Sequence, residues 1–167
     1  PMLSGGERPE TIHDFSGFPP ALYQLKYPAP GSPALAQQVA GLLKTAGHVP
    51  AVNGCRGLDH GAWVPLRWMY PAHDVPVVQL SVQPSLGTEH HWRLGEALSS
   101  LADDGVLVIG SGHVTHNLRD WSMHRHETSS LDYIVQFADW LHRQLESGDR
   151  DAVLDYRSRA PSAARAH

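Results

Sequence analysis

The stretch from Asp74 to Ile109 constrains the fold most. Val75, Val77, Val78, Leu80 and Val82 form a β-branched run bounded by Asp74 and Pro84, which reads as a buried strand with Pro76 near its start. Leu94, Leu98 and Leu101 then recur at helical spacing between Glu89 and Ala102, and Asp103-Asp104-Gly105 stops that helix before Val106-Leu107-Val108-Ile109. Strand, helix and strand in succession predict a βαβ unit, a parallel pair joined by a right-handed crossover. Functional groups then belong at the carboxyl ends of those strands. The fold class that follows is α/β, a layered sheet with at least one parallel βαβ unit and helices on both faces.

The rest of the chain fits this frame. Residues 1 to 33 are rich in Gly and Pro and read as an irregular lead-in. Ser32-Pro33 supplies a cap and a first-turn proline, and Leu35, Val39, Leu42 and Leu43 mark an amphipathic helix that stops near Gly47. A short strand is expected at His48 to Val52 and a short helix at Trp63 to Met69. Ser130 can cap a long helix with the apolar face Leu131, Ile134, Val135, Ala138, Leu141 and Leu145, ended by Gly148. Asp151 to Tyr156 adds a turn or two, and Ser158 to His167 reads as solvated tail. No repeat or linker divides the chain, so residues 1–167 are expected to be a single domain.

Thirteen Lys and Arg against seventeen Asp and Glu give a formal charge of −4, which argues against a nucleic-acid partner. No apolar run approaches the ~20 residues of a membrane helix, and no secretory signal opens the sequence. One cysteine excludes an internal disulfide, so a cytoplasmic location is expected. Twelve histidines against that one cysteine direct attention to imidazole, which binds metals and carries protons near neutral pH.

Among these, His116 lies in Gly110-Ser111-Gly112-His113-Val114-Thr115-His116-Asn117-Leu118, directly after the second apolar run. A glycine-bracketed bend can return its side chain over a strand end; the alternative is a histidine that caps a loop carbonyl. His113 is a weaker candidate. His60 lies in Asp59-His60-Gly61, where an adjacent acid can orient the imidazole, or where the ring is simply a satisfied core group. His13, in Ile12-His13-Asp14-Phe15, resembles it in kind. His90-His91 and His124-x-His126 read as surface, Cys55 as a small buried side chain, and the tryptophans as core or pocket walls. Arg56 and Arg67 are surface charges or carboxylate binders. Neither H-E-x-x-H nor a glycosidase-like carboxylate pair occurs.

Four strings taken together, Thr11 to Pro19, Tyr27-Pro28-Ala29-Pro30-Gly31, Leu58-Asp59-His60-Gly61-Ala62-Trp63 and Gly110 to Leu118, resemble the class III extradiol ring-cleavage dioxygenases, in the 4,5-DOPA dioxygenase-like branch of the LigB superfamily. The resemblance implies a mononuclear nonhaem centre holding Fe(II) or Zn(II), with a catechol-type aromatic and O2 as its small-molecule partners. It places His116 at the metal, as ligand or acid/base, His60 beside substrate and oxygen as the proton-transfer histidine, and His13 in a loop that shapes the substrate pocket. Further metal-site histidines of the family, in a His-Gly-x-Pro-like string, just before Ile-His-Asp-Phe and in a Pro-Thr-x-Glu-His-like string, have no counterpart here, so the chain resembles the middle of the enzyme. A noncatalytic α/β module of the same family is the alternative; a zinc hydrolase lacks its water-activating Glu. Flanking histidine motifs in an extended reading frame would favour the enzyme.

A nonhaem iron site draws on about three protein ligands, and the resemblance supplies His116 with His60 as a possible second. The isolated 167 residues are therefore expected to bind ferrous iron well below one ion per chain and to consume oxygen slowly on L-DOPA. Stoichiometric iron uptake with brisk ring cleavage in a metal titration would contradict this.

Overall fold

The structure, a computed structural model, describes residues 1–166. It divides into two compact units, Pro1–Ser111 and Gly112–His167, and is mixed α/β.

In the first unit a parallel βαβ arrangement is present, but not where the valine runs place it. β1 (Met2–Ser4) pairs in parallel with β2 (Ala51–Asn53), Leu3 opposite Val52, and α1 (Pro33–Thr45) lies between them in the chain. Ser32 starts α1 as expected, its Oγ accepting the Leu35 N–H at 3.2 Å. The face of α1 carrying Ala36, Val39, Ala40 and Leu43 is buried, with Leu3, Leu94, Leu98 and Leu101 in the same core. β1 falls inside the expected irregular lead-in, because three residues carry too little alternation to register as a strand.

The β-branched run at 75–82 lies extended along β1 but forms only isolated bridges, Leu3 to Leu80 antiparallel and Gly31 to Val77 parallel. Backbone bonds join Ser4 N–H to Gln79 O at 2.9 Å and Ser81 N–H to Met2 O at 2.8 Å. Ser4 Oγ takes the Gln79 N–H at 2.8 Å and Ser81 Oγ the Met2 N–H at 2.9 Å. Side-chain oxygens thus accept two N–H groups that a regular ladder would give to carbonyls. Val75 and Val82 are exposed rather than buried.

The second expected strand, Val106 to Ile109, is not formed among the described residues. Val106 N–H turns back to Leu101 O at 3.0 Å, while Leu107, Val108 and Ile109 are exposed. A β-branched run favours extended backbone, but a strand also needs a neighbouring strand to bond with. The helix before it is shorter than expected: α3 (Gly87–Ala97) ends at Leu98 and passes into a 3-10 turn, Ser99–Ala102.

A second core in this unit gathers Tyr27, Ala29, Leu58, Trp63 and Leu66, the last two on α2 (His60–Met69). It positions the loop that carries His13.

The second unit is helical. α4 (Leu118–His124), α5 (Asp132–Ser147), α6 (Arg150–Leu154), α7 (Tyr156–Arg159) and α8 (Ala163–Ala166) follow in order. α5 is the expected long helix, closed by Gly148 at φ 69°, a conformation that glycine adopts without side-chain strain. Its start is Leu131, without a side-chain cap, and not Ser130. The expected solvated tail is instead packed: Ala160, Ala163 and Ala166 are buried in one core with Phe137. Small side chains three apart let these turns approach α5 closely, a pattern with too little apolar bulk to stand out in the sequence. His167 lies outside the described residues.

Leu43 is fully buried in the first core, so Leu43→Ala is expected to cost about 2–5 kcal/mol in urea denaturation. A cost below about 1 kcal/mol would contradict this packing.

Candidate functional site

The site grows from a short parallel bridge, Thr11 to Leu58. Leu58 N–H donates to Glu10 O and Ile12 N–H to Leu58 O, each at 2.8 Å. Trp63 Nε1–H reaches Ile12 O at 2.9 Å, so the loop is also tied to α2. Gly57 permits the approach, since a Cβ there would stand 2.3 Å from Glu10 O.

Three residues after Thr11 and two after Leu58, Asp14 meets His60. Asp14 Oδ1 lies 2.8 Å from His60 Nδ1 and accepts the His60 backbone N–H at 3.0 Å. A carboxylate only accepts, so Nδ1 carries the hydrogen and Nε2 is the basic nitrogen of the neutral ring. His60 is the first residue of α2, which also places the carboxylate at the positive end of a helix. Partial burial pushes the Asp14 carboxyl up, but the backbone and ring N–H groups of His60 outweigh it and hold the group below its usual range.

The acid that orients His60 is therefore Asp14, forty-six positions away, and not its neighbour Asp59. Asp59 pairs with Arg56 at 3.1 Å. The sequence signal for Asp14 was present, inside Ile12-His13-Asp14-Phe15, but adjacency pointed elsewhere.

His13 is half-buried and donates from Nε2 to Leu25 O at 2.9 Å. Its ring lies 5.8 Å from Phe15 and 5.6 Å from Trp63. Phe15 also packs edge-on to Phe18 at 5.4 Å and to His60 at 6.0 Å, and lies 5.3 Å from Tyr23. The structure thus brings His13 and His60 to the same phenyl ring, with Phe18 half exposed beside it. Such edge-to-face ring packing suits an aromatic ligand, and the exposed His60 ring supplies a proton acceptor.

His116 belongs to the second unit and is exposed there. Its backbone N–H donates to Ala166 O at 2.8 Å, and its ring lies 6.3 Å from that of His113. The capping residue at this bend is Asn117, whose Oδ1 accepts the Asp120 N–H at 2.9 Å while Nδ2 donates to Arg165 O at 2.7 Å. Arg165 Nε in turn pairs at 2.9 Å with the buried carboxylate of Asp120. Within the first unit, Ser111 Oγ donates to Gly61 O.

Two lesser expectations, for Cys55 and for the tryptophans, are corrected. Cys55 is exposed rather than buried. Trp63 is core, but Trp68 and Trp121 are exposed. His124 pairs with Glu127 at 2.7 Å, and His90 and His91 engage Gln83. Among the described residues no group of three or more His, Cys, Asp or Glu side chains converges as an ion would need.

The family model described as the catalytic LigB subunit of aromatic ring-opening dioxygenase matches residues 2–167. The chain belongs to the LigB family. It is 46% identical over 159 residues to a 4,5-DOPA dioxygenase extradiol of Beta vulgaris, covering 95% of this chain and 59% of that protein. A protein of the same name from Escherichia coli strain K12 is 43% identical over 139 residues, 83% of this chain and 51% of its own. The crystal structure of uncharacterized protein JW3007 from Escherichia coli K12 superimposes with a TM-score of 0.77 at 30% identity, over 99% of this chain and 63% of that one. The chain therefore spans about 60% of the length of the first two of these relatives at most.

The depressed Asp14 carboxyl has a signed consequence. Its contribution is complete above the unfolded-chain value of about 3.9 and is lost as pH falls through the lower folded value. The urea midpoint is expected to drop as pH falls below about 4, and to drop less in Asp14→Ala. Identical acid profiles for the two proteins would contradict the pairing with His60.

Proposed function

We propose that this chain is part of an extradiol dioxygenase that opens the ring of a catechol-type aromatic such as DOPA, using O2. Family membership over residues 2–167 supports the reaction class. The observation that carries the reading is the His60 ring, held at Nδ1 by Asp14 and flanked by Phe15. An aromatic diol stacked beside Phe15 would present a hydroxyl to His60 Nε2, which takes its proton and later returns one. The ring bond next to the diol breaks and both oxygen atoms enter the product, so no separate reductant is consumed.

The resemblance calls for one Fe(II) or Zn(II), whose role is to hold diol and O2 together. His116 is the residue proposed to bind it. Since the described residues do not form a complete site, the other ligands are assigned to the part of such a protein beyond the matched length. The same reasoning takes the two units as parts of one catalytic domain, and a layered sheet with helices on both faces as the architecture of that domain. No described helix is long and apolar enough to cross a membrane, and a cytoplasmic location remains part of the proposal.

The test is ring-opened product formation from L-DOPA by the protein that carries this chain, supplied with Fe(II) under oxygen. His60→Gln is expected to lower kcat by about 10²–10⁴-fold. No product from the parent, or an unchanged rate in His60→Gln, would overturn the reading.

A further inference from the structure

We propose that Asp14 is a positioning residue that locks His60 in its Nδ1–H tautomer and fixes the ring against Phe15, so that Nε2 is always the nitrogen that receives the substrate proton. The inference rests on the reading of His60 as the proton-transfer group, but its own evidence is geometric. A single oxygen, Oδ1, receives both the backbone N–H and the ring N–H of His60, at 3.0 and 2.8 Å. Capping α2 requires only the first of these. The second constrains a side chain that is 55% exposed and would otherwise sample several rotamers and the other tautomer.

The ring is held from a second side. Phe15 follows Asp14 in the chain and meets the His60 ring edge-on, with centroids 6.0 Å apart and planes at 84°. Phe15 is itself fixed among His13, Tyr23, Phe18 and Trp63. The loop reaches this position because Ile12 is bonded to Leu58 and to the Trp63 indole. Positioning of His60 is thus built into consecutive residues of one loop, Asp14 for the hydrogen bond and Phe15 for the packing. An imidazole with a defined basic nitrogen is already in the state that a proton transfer requires, whereas an unheld ring spends part of its time with Nε2 protonated and unable to accept.

Long-range proton–nitrogen NMR on the labelled chain at mildly alkaline pH reads the tautomer directly, with the His60 signals assigned by their loss in His60→Gln. The parent is expected to show His60 as Nδ1–H. Asp14→Ala should move it to the Nε2–H form that a free imidazole prefers. Asp14→Asn should retain Nδ1–H, because two donors converging on one atom select the amide oxygen and not its nitrogen. That variant also preserves the cap, which keeps the test open if Asp14→Ala fails to fold. An Nε2–H tautomer in the parent, or an unchanged tautomer in folded Asp14→Ala, would overturn the proposal. In the protein that carries this chain, Asp14→Ala is expected to lower kcat by roughly 10–100-fold with KM little changed. The tautomer is read without substrate, so a protein that shows it yet opens no ring supports the positioning role and sinks only the reading of the reaction.

Discussion

The backbone pairing of residues 10–12 with Leu58 is the constraint on which the candidate site depends. It joins a Gly- and Pro-rich loop, which has no regular structure of its own, to the start of α2. Once Ile12 and Leu58 are bonded, Asp14 and His60 are carried to the same place, and the Trp63 indole closes the arrangement through Ile12 O. The requirement on Gly57 shows how tight that approach is: any side chain there would meet the Glu10 carbonyl. Aromatic packing around Phe15 then converts a loop into a fixed surface. The placement of the His60 ring beside Asp14 is thereby a consequence of main-chain hydrogen bonds at Ile12 and Leu58.

Legibility in the sequence followed the range of the forces involved. α1 was readable because its apolar stripe and its Ser32-Pro33 start are local; α5 was readable in its extent and its Gly148 stop, but its buried residues are Tyr133 and Phe137, and Val135 and Leu145 of the expected apolar face are exposed. The strand expected at Val106 to Ile109 was not, since local propensity cannot supply the partner strand that hydrogen bonding needs, and Leu107 and Val108 are left exposed. β1, only three residues long, carries too little alternation to mark a strand. The packed turns after Asp155 were hidden by alanines, whose burial depends on close approach and not on bulk.

For the site, the residue types were legible and the pairing was not. Asp59-His60 offered an acid beside an imidazole, and the structure uses Asp59 for Arg56 instead. Neighbours in a chain leave an extended segment or a helix start in different directions, whereas Asp14 approaches His60 from another segment altogether. The glycine-bracketed bend before His116 was also marked by its sequence, yet the cap it contains is Asn117. Four separated strings resembled one family, and that resemblance, matched over residues 2–167, carries more functional information than any one of them.

A crystal structure of the protein that carries this chain, grown with a catechol bound, tests the central claim most directly. The account predicts a diol oxygen within hydrogen-bond reach of His60 Nε2, the aromatic ring against Phe15, and Asp14 still bonded to Nδ1. A diol seated away from His60, or an Asp14 carboxylate swung off the imidazole in that complex, would contradict it.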